Sequence, residues 1–232
     1  MAKIMTVVVM VAVAATGSAA AQASVVRPTQ ELATLLTSHT AVSAPHARAS
    51  RVKAVPALRP ITGVQTVLPV IGHSTTKGGA HWLKVRLPGR PNGRKGWIAR
   101  RGTAVTTTGW HVVVRTSSRR VLVYGRGRLV RSFAAVVGKP STPTPRGQFF
   151  VEESVRMRPG SAGAPFALAL SARSNVLQEF EGGPGQVAIH GVANLGGTPG
   201  TAVSHGCVRL ADQSIRWLAA RIAPGVPVSI TS

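Results

Sequence analysis

Beyond residue 109 the chain is a succession of short apolar and β-branched runs separated by turn residues. That pattern restricts it to a mostly β fold. Residues 111–115 read as a strand, Ser117-Ser118-Arg119-Arg120 as a turn, and residues 121–124 as the returning arm of a hairpin. Gly125-Arg126-Gly127 turns the chain again into residues 129–137. Residues 147–151, 166–170, 186–190 and 226–230 complete the strand set. Helical periodicity is convincing in one place, after Asp212. There Ile215, Leu218, Ala219 and Ile222 form an apolar stripe at i, i+3, i+4 and i+7, with Asp212 as N-cap and Pro224-Gly225 as the stop. The expected architecture is a β-sandwich or barrel with one helix near its C-terminal side.

Upstream, residues 61–105 read as a small β module. Thr66-Val67-Leu68-Pro69-Val70 is β-rich, residues 81–87 alternate, Pro91-Asn92-Gly93 is a turn, and Gly96-Trp97-Ile98 opens another strand. The Trp-containing strand followed by a turn and Gly-Trp-Ile resembles bacterial SH3-like modules. Residues 24–60 are rich in Ser, Ala, Arg and Pro and read as a low-order linker, with a short amphipathic helix over residues 29–36 capped by Thr29. Residues 1–23 have the build of a secretory signal: Lys3, then an apolar run over residues 4–15, then small residues in Ser18-Ala19-Ala20 and Ala21-Gln22-Ala23. The run is too short for a comfortable membrane span. The expected location is therefore outside the cytoplasmic membrane, in the cell wall or periplasmic space.

The net charge of +22 points to polyanionic or carboxylate-rich partners. Nucleic acid is the first suspicion for such a charge, but export argues against it and favours anionic cell-wall polymers. The chain holds one cysteine, Cys207, so no internal disulfide is possible. A lone cysteine in an exported chain is an intermolecular link or a reactive thiol.

Three reactive side chains fall close together: His190, His205 and Cys207. His190 ends a strand and is followed by Gly191. A Gly- and Pro-containing loop over residues 192–203 then leads into Ser204-His205-Gly206-Cys207-Val208-Arg209. Such a loop can fold back and set Cys207 beside His190. A thiol needs a base or a lowered pKa to attack a carbonyl at neutral pH, and an imidazole supplies either. Gly206 leaves room for a substrate, and the N–H groups of Gly206 and Cys207 are candidate oxyanion donors.

His190-Gly191, a spacer of thirteen residues after His190, and Ser204-His205-Gly206-Cys207-Val208-Arg209 resemble the signature of L,D-transpeptidases with a YkuD-type catalytic domain. Thr144-Pro145-Arg146-Gly147-Gln148-Phe149 and the hairpin starting at Trp110 are similar to further segments of that family. The resemblance spans residues 109–232. It implies Cys207 as the acylated nucleophile and His190 as its base, oriented by backbone near Gly191. Ser204 and His205 would shape the site, Gly206 and Cys207 would give oxyanion donors, and Arg209 has an open role, a substrate carboxylate being one option. It implies stem tetrapeptides of peptidoglycan as substrate, a Cys207 thioester, 3→3 cross-links as product, and acylation by β-lactams, carbapenems above all. No cofactor and no metal are implied.

Other readings stay on the table. With water as acceptor, the same thiol chemistry makes an L,D-carboxypeptidase or wall hydrolase, although NlpC-type peptidases place Cys before His, the reverse of the order here. A wall-binding protein with a degenerate site is the non-enzymatic alternative. His190, His205 and Cys207 have zinc-ligand chemistry but lack a fourth ligand of standard spacing. Glu152-Glu153 and Glu179/Glu181 raise a glycosidase reading. Neighbours on a strand face opposite ways, so Glu152 and Glu153 are expected to diverge into solvent or to balance Arg residues.

Overall fold

The computed structural model describes residues 26–179 and 183–232. The secretory signal at residues 1–23 and Glu181 lie outside the described residues. The N-terminal half contributes β1 (Gln30–Leu35), β2 (His39–Val42), β3 (Arg51–Val55), β4 (Val67–Thr75), β5 (His81–Arg86), β6 (Lys95–Ala99) and β7 (Thr103–Thr108). They form one antiparallel sheet in the order β3-β2-β6-β5-β4-β1-β7.

This corrects the reading of residues 24–60 as a linker. The stretch supplies three of the seven strands, and the helix expected over residues 29–36 is β1. The physical reason is non-local. β1 lies between β4 and β7, with Leu32 opposite both Pro69 and Thr106, so its backbone groups are paired on both edges. Ladder bonds to segments far along the chain override a weak local helical stripe.

The C-terminal half contributes β8 (Trp110–Arg115), β9 (Arg120–Gly125), β10 (Arg128–Ala134), β11 (Val137–Gly138), β12 (Gly147–Arg156), β13 (Phe166–Arg173), β14 (Gln186–Gly191), β15 (Ala202–Ser204), β16 (Val208–Leu210), α1 (Asp212–Ala219) and β17 (Pro227–Thr231). Eight of these strands make a sheet in the order β10-β9-β8-β17-β12-β13-β14-β16. Just beyond β10, Val136 exchanges two backbone hydrogen bonds of 2.9 Å with Arg209 of β16, which brings the two ends of the sheet together and nearly closes it into a barrel. The mostly β architecture, with one helix among the described residues, is as expected. Asp212 is the first helical residue rather than the cap; Ala211 occupies that position without a side-chain hydrogen bond.

α1 packs on β13 and β14. Its Ile215 and Leu218, with Ile222 just beyond, are buried among Leu168, Leu170, Ile189 and Val208. Burial of each such side chain stabilises by roughly 1.5–3 kcal/mol. This helix therefore backs the strands that carry the site.

β12 belongs to both halves. Phe149 and Val151 face the core of the C-terminal sheet, while Phe150 packs into the core of the N-terminal sheet with Leu68, Leu83 and Ile98. Then the pairing slips: Val151 faces Leu170, but Glu153 faces Ala169, leaving Glu152 as an extra residue. At such a β-bulge two consecutive residues oppose one on the partner strand. The divergence expected of Glu152 and Glu153 is thereby overturned. Both are 1% exposed, and both meet Arg59 from the N-terminal half. Glu152 also accepts from Arg173 Nη1 at 3.0 Å, and Glu153 accepts from the Thr62 N–H and hydroxyl at 2.9 and 2.8 Å. Balancing arginine is their role; solvent does not reach them.

Candidate active site

The site is built where β14 and β16 run parallel. Ile189 pairs with Val208, and His190 with Arg209. Ile189 and Val208 point into the core at 0% exposure. By the two-residue period of a strand, Gln186, Ala188 and His190 take the other face, as do Cys207 and Arg209 on the neighbouring segment. His190, Cys207, Arg209, Gln186 and His205 accordingly line one open cavity of about 1090 Å³. Ala167, the cross-strand partner of His190, adds a small residue to the cavity lining.

His190 Nδ1 lies 2.8 Å from the carbonyl oxygen of Gly191. A carbonyl only accepts, so Nδ1 carries the proton and Nε2 holds the lone pair. Burial pushes the His190 pKa below its usual value; the Gly191 bond opposes this, and the Arg209 charge adds to the lowering. The ring is neutral at pH 7. Packing holds its plane as well. A Cβ on Gly163, a residue at φ +81°, would sit 2.6 Å from Nδ1. A Cβ on Gly191 would fall 1.8 Å from the Ala164 carbonyl.

Ser204 folds the turn that presents the thiol. Its hydroxyl donates to the Cys207 carbonyl at 2.6 Å and accepts the Gly206 N–H at 3.2 Å. The Ser204 carbonyl accepts the Lys139 N–H at 2.9 Å and the Thr142 hydroxyl at 3.3 Å. Gly206 adopts φ +119°, which an L side chain resists. Its N–H, offered by the sequence as an oxyanion donor, is thus engaged by Ser204 Oγ. Cys207 itself is half-buried, with Sγ 4.0 Å from the Gln186 carbonyl. His205 stands exposed on the cavity wall.

Arg209 is 9% exposed and donates through Nη1 to the carbonyl of Gly196. It thereby ties the 192–203 loop, of which Leu195, Gly197, Thr198, Thr201 and Val203 line the cavity, to the strand bearing the site. The opposite wall comes from the segment between β13 and β14, including Ser174, Leu177 and Pro184. This wall is held from the N-terminal half. Arg90 donates to the carbonyls of Ser174, Leu177 and Pro184 at 2.8 Å each and to that of Gln178 at 3.5 Å. Asn92 donates to the Arg173 carbonyl at 2.7 Å and accepts its N–H at 2.9 Å.

The structure thus brings together His190, Gly191, Ser204, His205, Gly206, Cys207 and Arg209. Sequence reasoning missed Arg90, Asn92 and Gly163. The Pro91-Asn92-Gly93 turn was the available signal for the first two, and nothing local shows what that turn touches. Among the described residues, no group of three His, Cys, Asp or Glu side chains converges as a metal site.

The chain is similar to known proteins. The family model of the YkuD L,D-transpeptidase catalytic domain matches residues 109–230. A YkuD protein of Bacillus licheniformis is 32% identical over 125 residues, covering 54% of this chain and 67% of that protein. L,D-transpeptidase 1 of Mycobacterium tuberculosis is 26% identical over 231 aligned positions, covering 76% of this chain and 88% of that one. Among solved structures, an LD transpeptidase in complex with imipenem matches at 18% identity with a TM-score of 0.44, over 70% of this chain and 98% of that one. The chain spans about half the length of several other solved structures it matches.

Proposed function

Because the chain belongs to the L,D-transpeptidase family through its YkuD catalytic domain, we propose that it is an exported, cysteine-dependent transpeptidase that forms 3→3 cross-links in peptidoglycan. The observation that carries this reading is the pairing of His190 and Cys207 in one cavity, with Nδ1 fixed on Gly191 and Nε2 left as the basic nitrogen.

In this mechanism Nε2 of His190 takes the thiol proton of Cys207. The thiolate attacks the carbonyl of the third stem residue, and the C–N bond to the terminal D-Ala breaks as the imidazolium returns its proton to that leaving amine. A Cys207 thioester remains. The side-chain amine of a second stem attacks it, giving up a proton to His190, and the thiolate departs. Water competes at this step. The 192–203 loop, tied down by Arg209, and the segment held by Arg90 wall the cavity in which the acyl group would sit, and exclusion of water there by a bound second stem would favour the amine acceptor. The abundance of cations suits a substrate rich in carboxylates. The N-terminal charged and apolar segment supports export.

Incubation of the protein with disaccharide-tetrapeptide is expected to yield 3→3 dimers by mass spectrometry. Tripeptide alone would assign the carboxypeptidase reading, and no product would leave the wall-binding one.

The base assignment has its own test. In His190→Ala, alkylation of Cys207 by iodoacetamide at pH 7 is expected to slow by about 10²-fold, a typical general-base contribution. The His190 pKa lies below its ordinary value, so in the wild type the rate holds as pH falls through 6.5 and drops only at more acid pH. Equal rates in the two proteins at pH 7 remove His190 from the mechanism.

A further inference from the structure

A second cavity, of about 420 Å³, lies where the N-terminal sheet meets the catalytic sheet. It shares no lining residue with the cavity that holds Cys207. Its walls include Arg27, Lys84, Arg86, Lys95, Trp110 and His111, and no Asp or Glu lines it. None of the four cations takes part in a salt bridge among the described residues.

The sheet register makes this arrangement unfavourable in the empty state. Arg86 and Lys95 are direct cross-strand partners on β5 and β6. Like charges in that position destabilise a sheet. Lys84, two residues before Arg86, points to the same face. Arg86 is half-buried, and both its burial and the nearby Arg27 charge depress its pKa. His111 is held at about 4 by burial and by Arg86, so it is neutral and adds no fifth positive charge. It is fixed in the floor: its Nε2–H donates to Ser229 Oγ at 2.8 Å, and that hydroxyl donates to Gln148 Oε1 at 2.8 Å. Four cations round a half-enclosed space repel one another more than they do in open water. A mobile anion in the space reverses that sign.

We propose that this cavity is a binding site for phosphate oxyanions, separate from the catalytic pocket and independent of the chemistry at Cys207. The two guanidinium groups offer planar forks that match phosphate oxygens bidentately, and the two ammonium groups act as point charges beside them. The volume exceeds one phosphate and accommodates a diphosphate or two successive phosphodiesters of a polymer. Trp110 gives the site one aromatic wall.

The test uses the full chain and calorimetric titration with inorganic pyrophosphate at low ionic strength. The wild type is expected to bind saturably at one site. Arg86→Gln/Lys95→Gln should weaken binding at least tenfold, whereas Arg51→Gln/Arg119→Gln, which removes the same charge at exposed positions, should change it less than twofold. The ligand-free cavity variant should also melt no lower than the wild type, since it loses a repulsion. Should the double variant fail to fold, Lys95→Gln alone is expected to weaken binding at least threefold. Linear polyphosphate distinguishes the source: tighter binding than pyrophosphate identifies a polymer, and equal binding a free diphosphate. The proposal is overturned if pyrophosphate does not saturate, if both double variants weaken it alike, or if citrate binds as tightly.

Discussion

Imipenem is expected to raise the intact mass of the wild-type protein by one drug molecule, and Cys207→Ala is expected to abolish the gain completely. Cys207 is the chain's only thiol, so no second cysteine can mask the effect. Acylation of a strained β-lactam carbonyl requires the same events as acylation by a stem peptide: a thiolate, a base that has taken its proton, and room for a carbonyl beside the sulfur. The cavity of about 1090 Å³ supplies the room, and in the proposed mechanism the neutral His190 ring would supply the base. Serine in place of Cys207 should be nearly as inactive, because its hydroxyl has a far higher pKa and one imidazole with no carboxylate behind it activates it poorly. The His190 ring is oriented here by a backbone carbonyl, and that polarises it less than a carboxylate would. An adduct that persists in Cys207→Ala would place the reactive group elsewhere and remove the thioester mechanism with it.

Arg59→Ala is expected to lower the melting temperature by about 10 °C. Removal of one partner from a buried ion pair costs about 3–5 kcal/mol, because the other charge stays buried and uncompensated. For a chain of this size each kcal/mol is worth about 2–4 °C. Here Glu153 is left without a cation, since Arg59 meets both Glu152 and Glu153 at 1% exposure and Arg173 compensates Glu152 alone. Arg51→Ala, at an exposed position on β3, serves as the control and should move the midpoint by less than about 1 °C. Thermal unfolding followed by circular dichroism decides the matter. A shift of less than 2 °C for Arg59→Ala would mean that water reaches the carboxylates and that the two halves are not held together by this cluster.

The catalytic half was largely readable from local pattern. Hairpin turns at residues 117–120 and 125–127, alternating runs, and the apolar stripe from Ile215 to Ile222 each declare themselves within a dozen residues. The N-terminal half was read less well. β1 carries an apolar spacing that also suits a helix, and only its pairing with β4 and β7 makes it a strand. The Glu152–Glu153 pair failed for a related reason. Two-residue alternation assumes an unbroken ladder, and the slip between Val151 and Glu153 is a property of the β12–β13 pair, invisible in either strand alone.

By itself the sequence determined which groups can react and in what order they occur: His190 before Cys207, with Ser204 and Gly206 shaping the turn between them. These are short-range facts, set by residue type, spacing and the conformations that Ser and Gly permit. The tertiary structure decided how the site is enclosed. Arg90 lies some eighty to ninety residues from the carbonyls it grips, Arg59 lies far from the glutamates it neutralises, and Arg27, Arg86 and Lys95 meet around one cavity. Such contacts depend on which strands become neighbours. That choice rests on burying apolar surface such as Phe150 between two sheets, a balance summed over the whole chain that no local stretch records.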